Sequence, residues 1–307
     1  MFKVKKLFKK IYNKIYNFFY LVYIRHFKKY LTLSSKPLIS GDSFKKIANH
    51  KFDEVNNFNP LQVNNSDIIF VKTDYLNLFI NDYLHKLPDE ITVITHNSDI
   101  NIFGNEIKKF EEKRIQWFAQ NLNINQTNSK YIHFLPLGFE NRNWFKNGKL
   151  NTLLNREIPV NKINKIFIGF NTNTNPDRVN SLSALQNNQN IFIFRRSSHK
   201  EYMSELSRYK LSLCPPGNGI DTHRIWESLL VKTLPIVKKS NFTDNLESMS
   251  VPLVALKNWE EIANISSDEI NKLYQQHIDK LENIEILKLK FWIDKFKEQN
   301  KNFKIND

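Results

Sequence analysis

The chain has 307 residues, enough for two domains of ordinary size that each bury a core. Its net charge of +14 is uneven: residues 1–41 hold ten Lys or Arg and no acid, leaving 35 basic and 31 acidic residues over the rest. The basic character thus belongs to an arm rather than the body, which argues against a nucleic-acid binder carrying its footprint on the fold. A single cysteine excludes an internal disulfide and fits a reducing compartment.

Residues 2–31 are expected to form one amphipathic helix. Val4, Leu7, Phe8, Ile11, Ile15, Phe19 and Val22 recur at three- and four-residue spacing, with Lys3, Lys6, Lys10 and Lys14 opposite. The longest uncharged stretch, 15–24, is too short to cross a bilayer as a helix, and no cleavage-site pattern follows it. The arm, taken as 1–33, therefore suits the surface of an anionic membrane. Residues 34–42, with Ser34, Ser35, Pro37 and Gly41, read as a linker.

The first domain, 34–150, is expected to be Rossmann-like. Apolar runs at 67–72, 91–95 and 131–137 read as strands, 75–86 as a helix and 105–113 as helical. Residues 114–121 fit either strand or helix. The second domain, 151–307, repeats the alternation. Strands are expected at 165–170, 191–194, 211–214, 234–237 and 252–256, with helices at 176–187, 199–209 and from about 268 to close the domain. Two doubly wound α/β domains facing across a cleft follow, with ligands at the carboxyl ends of the strands.

The densest signal is 214–237. After a short strand come Cys214-Pro-Pro-Gly-Asn-Gly-Ile-Asp221, then Arg224-Ile-Trp-Glu227, then Leu234-Pro-Ile-Val237. A strand, a Gly-bearing turn and a helix start place N–H groups where an anion can sit. Arg224 and Glu227, three residues apart, project from nearly one face. The segment resembles the donor-binding signature of exostosin-like glycosyltransferases. It departs at Lys232-Thr233, where family members often have a small residue.

The resemblance implies a GT-B fold and an inverting, metal-independent transfer from a nucleotide-sugar, UDP by preference, to a glycan or lipid-linked acceptor. It implies no cofactor. Gly217, Asn218, Gly219 and Arg224 are then expected at the donor phosphates, with Glu227 on the ribose; Asp221 is expected among the donor-binding residues, and it or Thr222 can cap the helix. Arg178, Arg195, Arg196 and Lys200 follow other strand ends and are further phosphate candidates. Thr172 and Thr174 are weaker ones. An inverting displacement needs a base, expected from the first domain: His96 or Asp99 after the strand at 91–95, with Asp74 in reserve and Glu140 lining the cleft. No Asp-x-Asp or zinc spacing is present. The setting expected is the cytoplasmic face of a membrane, in surface-polysaccharide synthesis. The alternatives are a noncatalytic sugar-nucleotide or glycan binder of the same fold, or a nucleic-acid binder using the arm.

Overall fold

The computed structural model describes residues 14–126, 129–195 and 197–300. The chain forms two parallel-sheet α/β domains. The first sheet contains β1 (His50–Phe52), β2 (Ile68–Lys72), β3 (Thr92–His96), β4 (Gln116–Ala119) and β5 (Ile132–Phe134), side by side in sequence order and all parallel. The second contains β6 (Ile163–Ile168), β7 (Ile191–Ile193), β8 (Tyr209–Leu213), β9 (Leu234–Lys238) and β10 (Val254–Leu256), also all parallel, in the order β10-β9-β8-β6-β7. The winding reverses between β6 and β8, so the switch point of a doubly wound sheet lies in the second domain; the first sheet runs in one direction only.

The central strands are continuous apolar runs because helices cover both faces of such sheets. Ile68–Val71 and Thr92–His96 are buried throughout. The ambiguous stretch at 114–121 resolves as β4. Trp117 is fully buried between β3 and β5, and its indole N–H donates to Thr95 at 3.0 Å. Strand β1 has no sequence signature, being three residues long with two polar ones.

The linker expected at 34–42 is instead part of the first core. Ser35, Leu38, Ile39 and Ser40 are buried, and Ser40 caps the helix Gly41–Ile47 by accepting from the Ser43 N–H. The helix expected from about 268 is Ser267–Gln275, and it packs on the second sheet, with Tyr274 donating to the Lys232 carbonyl at 3.0 Å. The final helix, Leu289–Gln299, is a separate element. It crosses back to the first sheet, where Phe296 meets Phe118 edge-on at 4.6 Å and Phe44 at 6.2 Å. Backbone bonds from Ile39 N–H to the Leu287 carbonyl and from Leu289 N–H to the Pro37 carbonyl fix this return. A one-way sheet has its crossover helices on one face, and this helix supplies cover that its own sequence cannot assign.

In the expected arm, residues 1–13 lie outside the described residues. Residues 14–22 are α-helical and continue through helical turns at Tyr23–Phe27 and Lys28–Tyr30.

Candidate active site

The carboxyl ends of the two sheets face each other, and the loop 215–222 fills the junction. Asn218 donates to Asp99 Oδ2 at 3.1 Å, the Ile220 N–H to Asn101 at 3.0 Å and the Asp221 N–H to Asn121 at 3.0 Å. Gly219 is required by this closeness: a Cβ there would stand 2.7 Å from the Asn121 amide nitrogen. The Gly217 N–H, expected to face phosphate, is spent on the Gly219 carbonyl at 3.0 Å.

Asp221, expected at the donor, is engaged between the domains. It is buried, and its two oxygens accept from the Leu137 N–H at 2.7 Å and the Trp226 indole at 2.8 Å. Burial pushes its carboxyl up to about 7 against the pull of those donors. It therefore links the two domains. Leu137 belongs to the loop after β5 and Trp226 to the helix His223–Leu230.

Two guanidiniums meet at the switch point. Arg178, on the helix Pro176–Leu185 after β6, is 4% exposed; it donates to the Pro216 carbonyl at 2.9 Å and the Asn171 carbonyl at 2.8 Å. Arg224 donates to the Gly169 carbonyl at 3.2 Å and Thr222 Oγ1 at 3.3 Å. Burial, then the positive charge of Arg224, holds Arg178 down at about 10. Each hydrogen bond these two make among the described residues goes to a neutral oxygen, and the charge of Arg224 also acts on the nearby Glu227 carboxylate. Arg224 also lies in the first turn of its helix, where the peptide dipoles add positive potential.

Glu227 is buried one turn on, and His199 Nε2 holds its Oε1 at 2.8 Å. The Tyr202 hydroxyl lies against the same carboxylate. Despite burial, the His199 bond keeps the Glu227 carboxyl below its ordinary value. Its hydrogen bond is thus to His199, 28 residues away, while Arg224 acts on it through charge alone. Arg195 and Lys200 are exposed beside the edge strand β7, one strand from the switch point. Arg196 lies outside the described residues. Thr172, half-buried, and Thr174, exposed, lie in a helical turn after β6. Cys214 is buried between the Ser212 and Ser228 hydroxyls, and burial pushes its thiol up to about 11, an inert structural position.

On the first-domain side a cavity of about 730 Å³ is lined by Asp42, Asp74, His96, Asp99, Glu140 and His223 among others. The expected base candidates therefore share one cavity with His223 of the signature segment. His96, however, cannot take a proton there. Its Nε2 bonds the Pro136 carbonyl at 3.1 Å, its Nδ1 accepts from the Asn97 N–H at 2.7 Å, and burial lowers it to about 4. Both nitrogens serve the end of β3. Asp99 and Asp74 are exposed at the cavity.

The residue that sequence reasoning missed is His223. Its Nδ1–H donates to the Gly138 carbonyl at 2.7 Å, which leaves the Nε2 lone pair directed at the cavity, 3.8 Å from Glu140 Oε1. It lies inside the signature, but spacing alone does not say which way a first-turn side chain faces. Asp42 was also missed, because it sits in the supposed linker. It is buried at the cavity wall, where desolvation raises its carboxyl against the bonds from Leu33 and Asn97. Among the described residues no group of His, Cys, Asp and Glu is arranged to hold a metal ion.

A family model described as the RXYLT1 C-terminal domain matches residues 180–306. That range takes in Arg224, Glu227 and His223 and starts just after Arg178. The curated human protein ribitol-5-phosphate xylosyltransferase 1 is 27% identical over 97 residues, covering 27% of this chain and 22% of the relative. The match thus spans about a fifth of that relative's length. Similar solved structures include one described as trehalose-6-phosphate from E. coli bound with UDP-2-fluoro glucose, with TM-score 0.47, 11% identity, and coverage of 80% of this chain and 75% of that one. Another is the pneumococcal O-GlcNAc transferase with UDP and GlcNAc, with TM-score 0.39, 12% identity, and coverage of 78% and 58%. The exostosin-like likeness rests on the signature residues alone.

Proposed function

We propose that the chain is a glycosyltransferase of GT-B type that moves a sugar from a nucleoside diphosphate, UDP by preference, to a hydroxyl of a glycan or lipid-linked acceptor. One observation carries the reading: Arg178 and Arg224 converge, without acidic partners in their hydrogen bonds, on the strand-order reversal of the second sheet. Such a crevice is where open α/β sheets bind nucleotides. The family match over 180–306 and the xylosyltransferase relative support sugar transfer.

The reaction is a single displacement with inversion. The acceptor oxygen forms a bond to the anomeric carbon as the bond to the diphosphate oxygen breaks. The acceptor proton goes to His223 Nε2, and Glu140 stabilises the imidazolium that forms. Arg178, Arg224 and the start of the helix His223–Leu230 take up the charge of the departing diphosphate, the task a metal performs elsewhere. Glu227, oriented by His199, accepts from ribose hydroxyls.

The test is a thermal-shift screen of nucleoside diphosphates, followed by titration calorimetry. A binder at a hundred times its Kd stabilises the protein by about 2.7 kcal/mol. Arg224→Ala weakens binding of that nucleotide by about 1.5–3 kcal/mol while leaving the fold intact. A screen with no stabilising nucleotide, or unchanged affinity in Arg224→Ala, defeats the reading.

A further inference from the structure

The helical segment 14–30 is two-sided. Tyr16, Tyr20 and Tyr23, four and three residues apart, turn toward the first domain. The Tyr23 ring stacks on Phe145 at 4.6 Å, and its hydroxyl donates to the Asn143 carbonyl at 3.0 Å. Lys146 Nζ stands 4.3 Å from the Tyr20 ring and Lys28 Nζ 3.2 Å from the Trp144 ring. Among the described residues the other side has no such cover. Ile15, Phe18 and Phe19 sit at helical i, i+3, i+4 spacing, and with Leu21 they are 53–65% exposed. Docking through the tyrosines thus leaves an apolar stripe in water, and such stripes mark a contact surface.

Charge decides which contact. Residues 14–31 hold Lys14, Arg25, Lys28 and Lys29 and no acid; the segment they dock on, 142–149, adds Arg142, Lys146 and Lys149 and again no acid. A second copy would bring the same charge against itself. An anionic phospholipid surface matches both the stripe and its basic border. We propose that the stripe Ile15–Phe18–Phe19–Leu21 docks the protein flat on an anionic phospholipid surface. No helix among the described residues is long and apolar enough to cross a membrane. The same segment supplies Lys28, Lys29 and Leu31 to the wall of the 730 Å³ cavity. Resting on the transferase reading, an acceptor carried by that lipid surface reaches the cavity without leaving it.

The experiment is flotation of the full chain with vesicles of phosphatidylcholine alone or mixed with phosphatidylglycerol, alongside titration with UDP. The protein floats with the anionic vesicles, and binding weakens as salt rises from about 0.05 M to about 0.5 M. The double variant Phe18→Ser, Phe19→Ser lowers partitioning by about tenfold or more. Its unfolding midpoint and UDP affinity stay at the wild-type values, because both side chains are exposed. Equal partitioning of wild type and variant overturns the proposal. So does a lipid-free dimer that the same variant dissolves, which would make the stripe a self-association surface. Loss of UDP binding with flotation retained would instead sink the transferase reading and leave docking standing.

Discussion

His96 and His223 both line the cavity, but only His223 is free to move a proton. Each has one ring nitrogen on a backbone carbonyl, Pro136 or Gly138. The second nitrogen of His96 is used by the Asn97 N–H, whereas that of His223 opens to the cavity. Replacing His223 by Ala is expected to slow transfer by about 10²–10⁴-fold, the range for a positioned base, with nucleotide affinity little changed. Replacing His96 by Ala is expected to lower stability by about 1–3 kcal/mol, since it strips partners from buried backbone groups. Turnover, nucleotide affinity and the denaturation midpoint of the two variants check this. Full transfer by His223→Ala would move the role to Asp99 or Glu140. The signature residues were legible because their spacing is local. The role of His223 was not, because Gly138, which orients it, is 85 residues away.

Among the elements, β4 and β5 show what patterning can and cannot say. Tyr131 to Leu137 reads plainly as a strand, while Arg114 to Asn121 fits two periods until Trp117 is seen to need a sheet on both sides. His133 on β5 stacks on Phe118 with centroids 4.5 Å apart, and its Nε2 bonds Gln116 Oε1 at 2.7 Å. Burial lowers it to about 4 from an ordinary 6.5. Between those values the unfolded chain binds a proton that the fold refuses. The stability from a neutral His133 is therefore full above about pH 6.5 and declines as pH falls toward 4. The slope is at most about 1.4 kcal/mol per pH unit. His133→Gln, neutral throughout, is expected to flatten the acid limb of stability against pH by up to that amount. Urea denaturation at pH 5 and 7 measures it, and identical slopes in the two proteins would refute it.

Over the whole molecule, the two domains are joined by buried polar links as well as by the returning helix. Phe134 packs against Trp226 at 6.4 Å and Phe242 at 5.7 Å, and Asn245 donates to the Ile124 carbonyl at 2.8 Å. Asp221 is a buried link of this kind. An amide has one acceptor oxygen where the carboxylate has two. Asp221→Asn therefore leaves either the Leu137 N–H or the Trp226 indole without a partner. The expected cost is about 1–3 kcal/mol, read as a lowered denaturation midpoint. A midpoint equal to wild type would show that the link carries no weight.

The sequence by itself determined the alternation of strands and helices, the positions of the second-domain strands to within a few residues and the strand, turn and helix of the 214–237 segment. These rest on period, turn residues and spacing, all read within a few residues. Tertiary structure alone decided that 34–42 is core, that the last helix covers the first sheet, and that Asp221 and Glu227 pair with Leu137, Trp226 and His199. It also split the aromatic residues of 14–30 into a docked face and an open one. Each of these depends on which distant surface a side chain meets. Leu137 and Asp221, for example, are 84 residues apart. Local pattern holds no record of such a meeting, because the free energy of burying a polar group is set by the partner it finds.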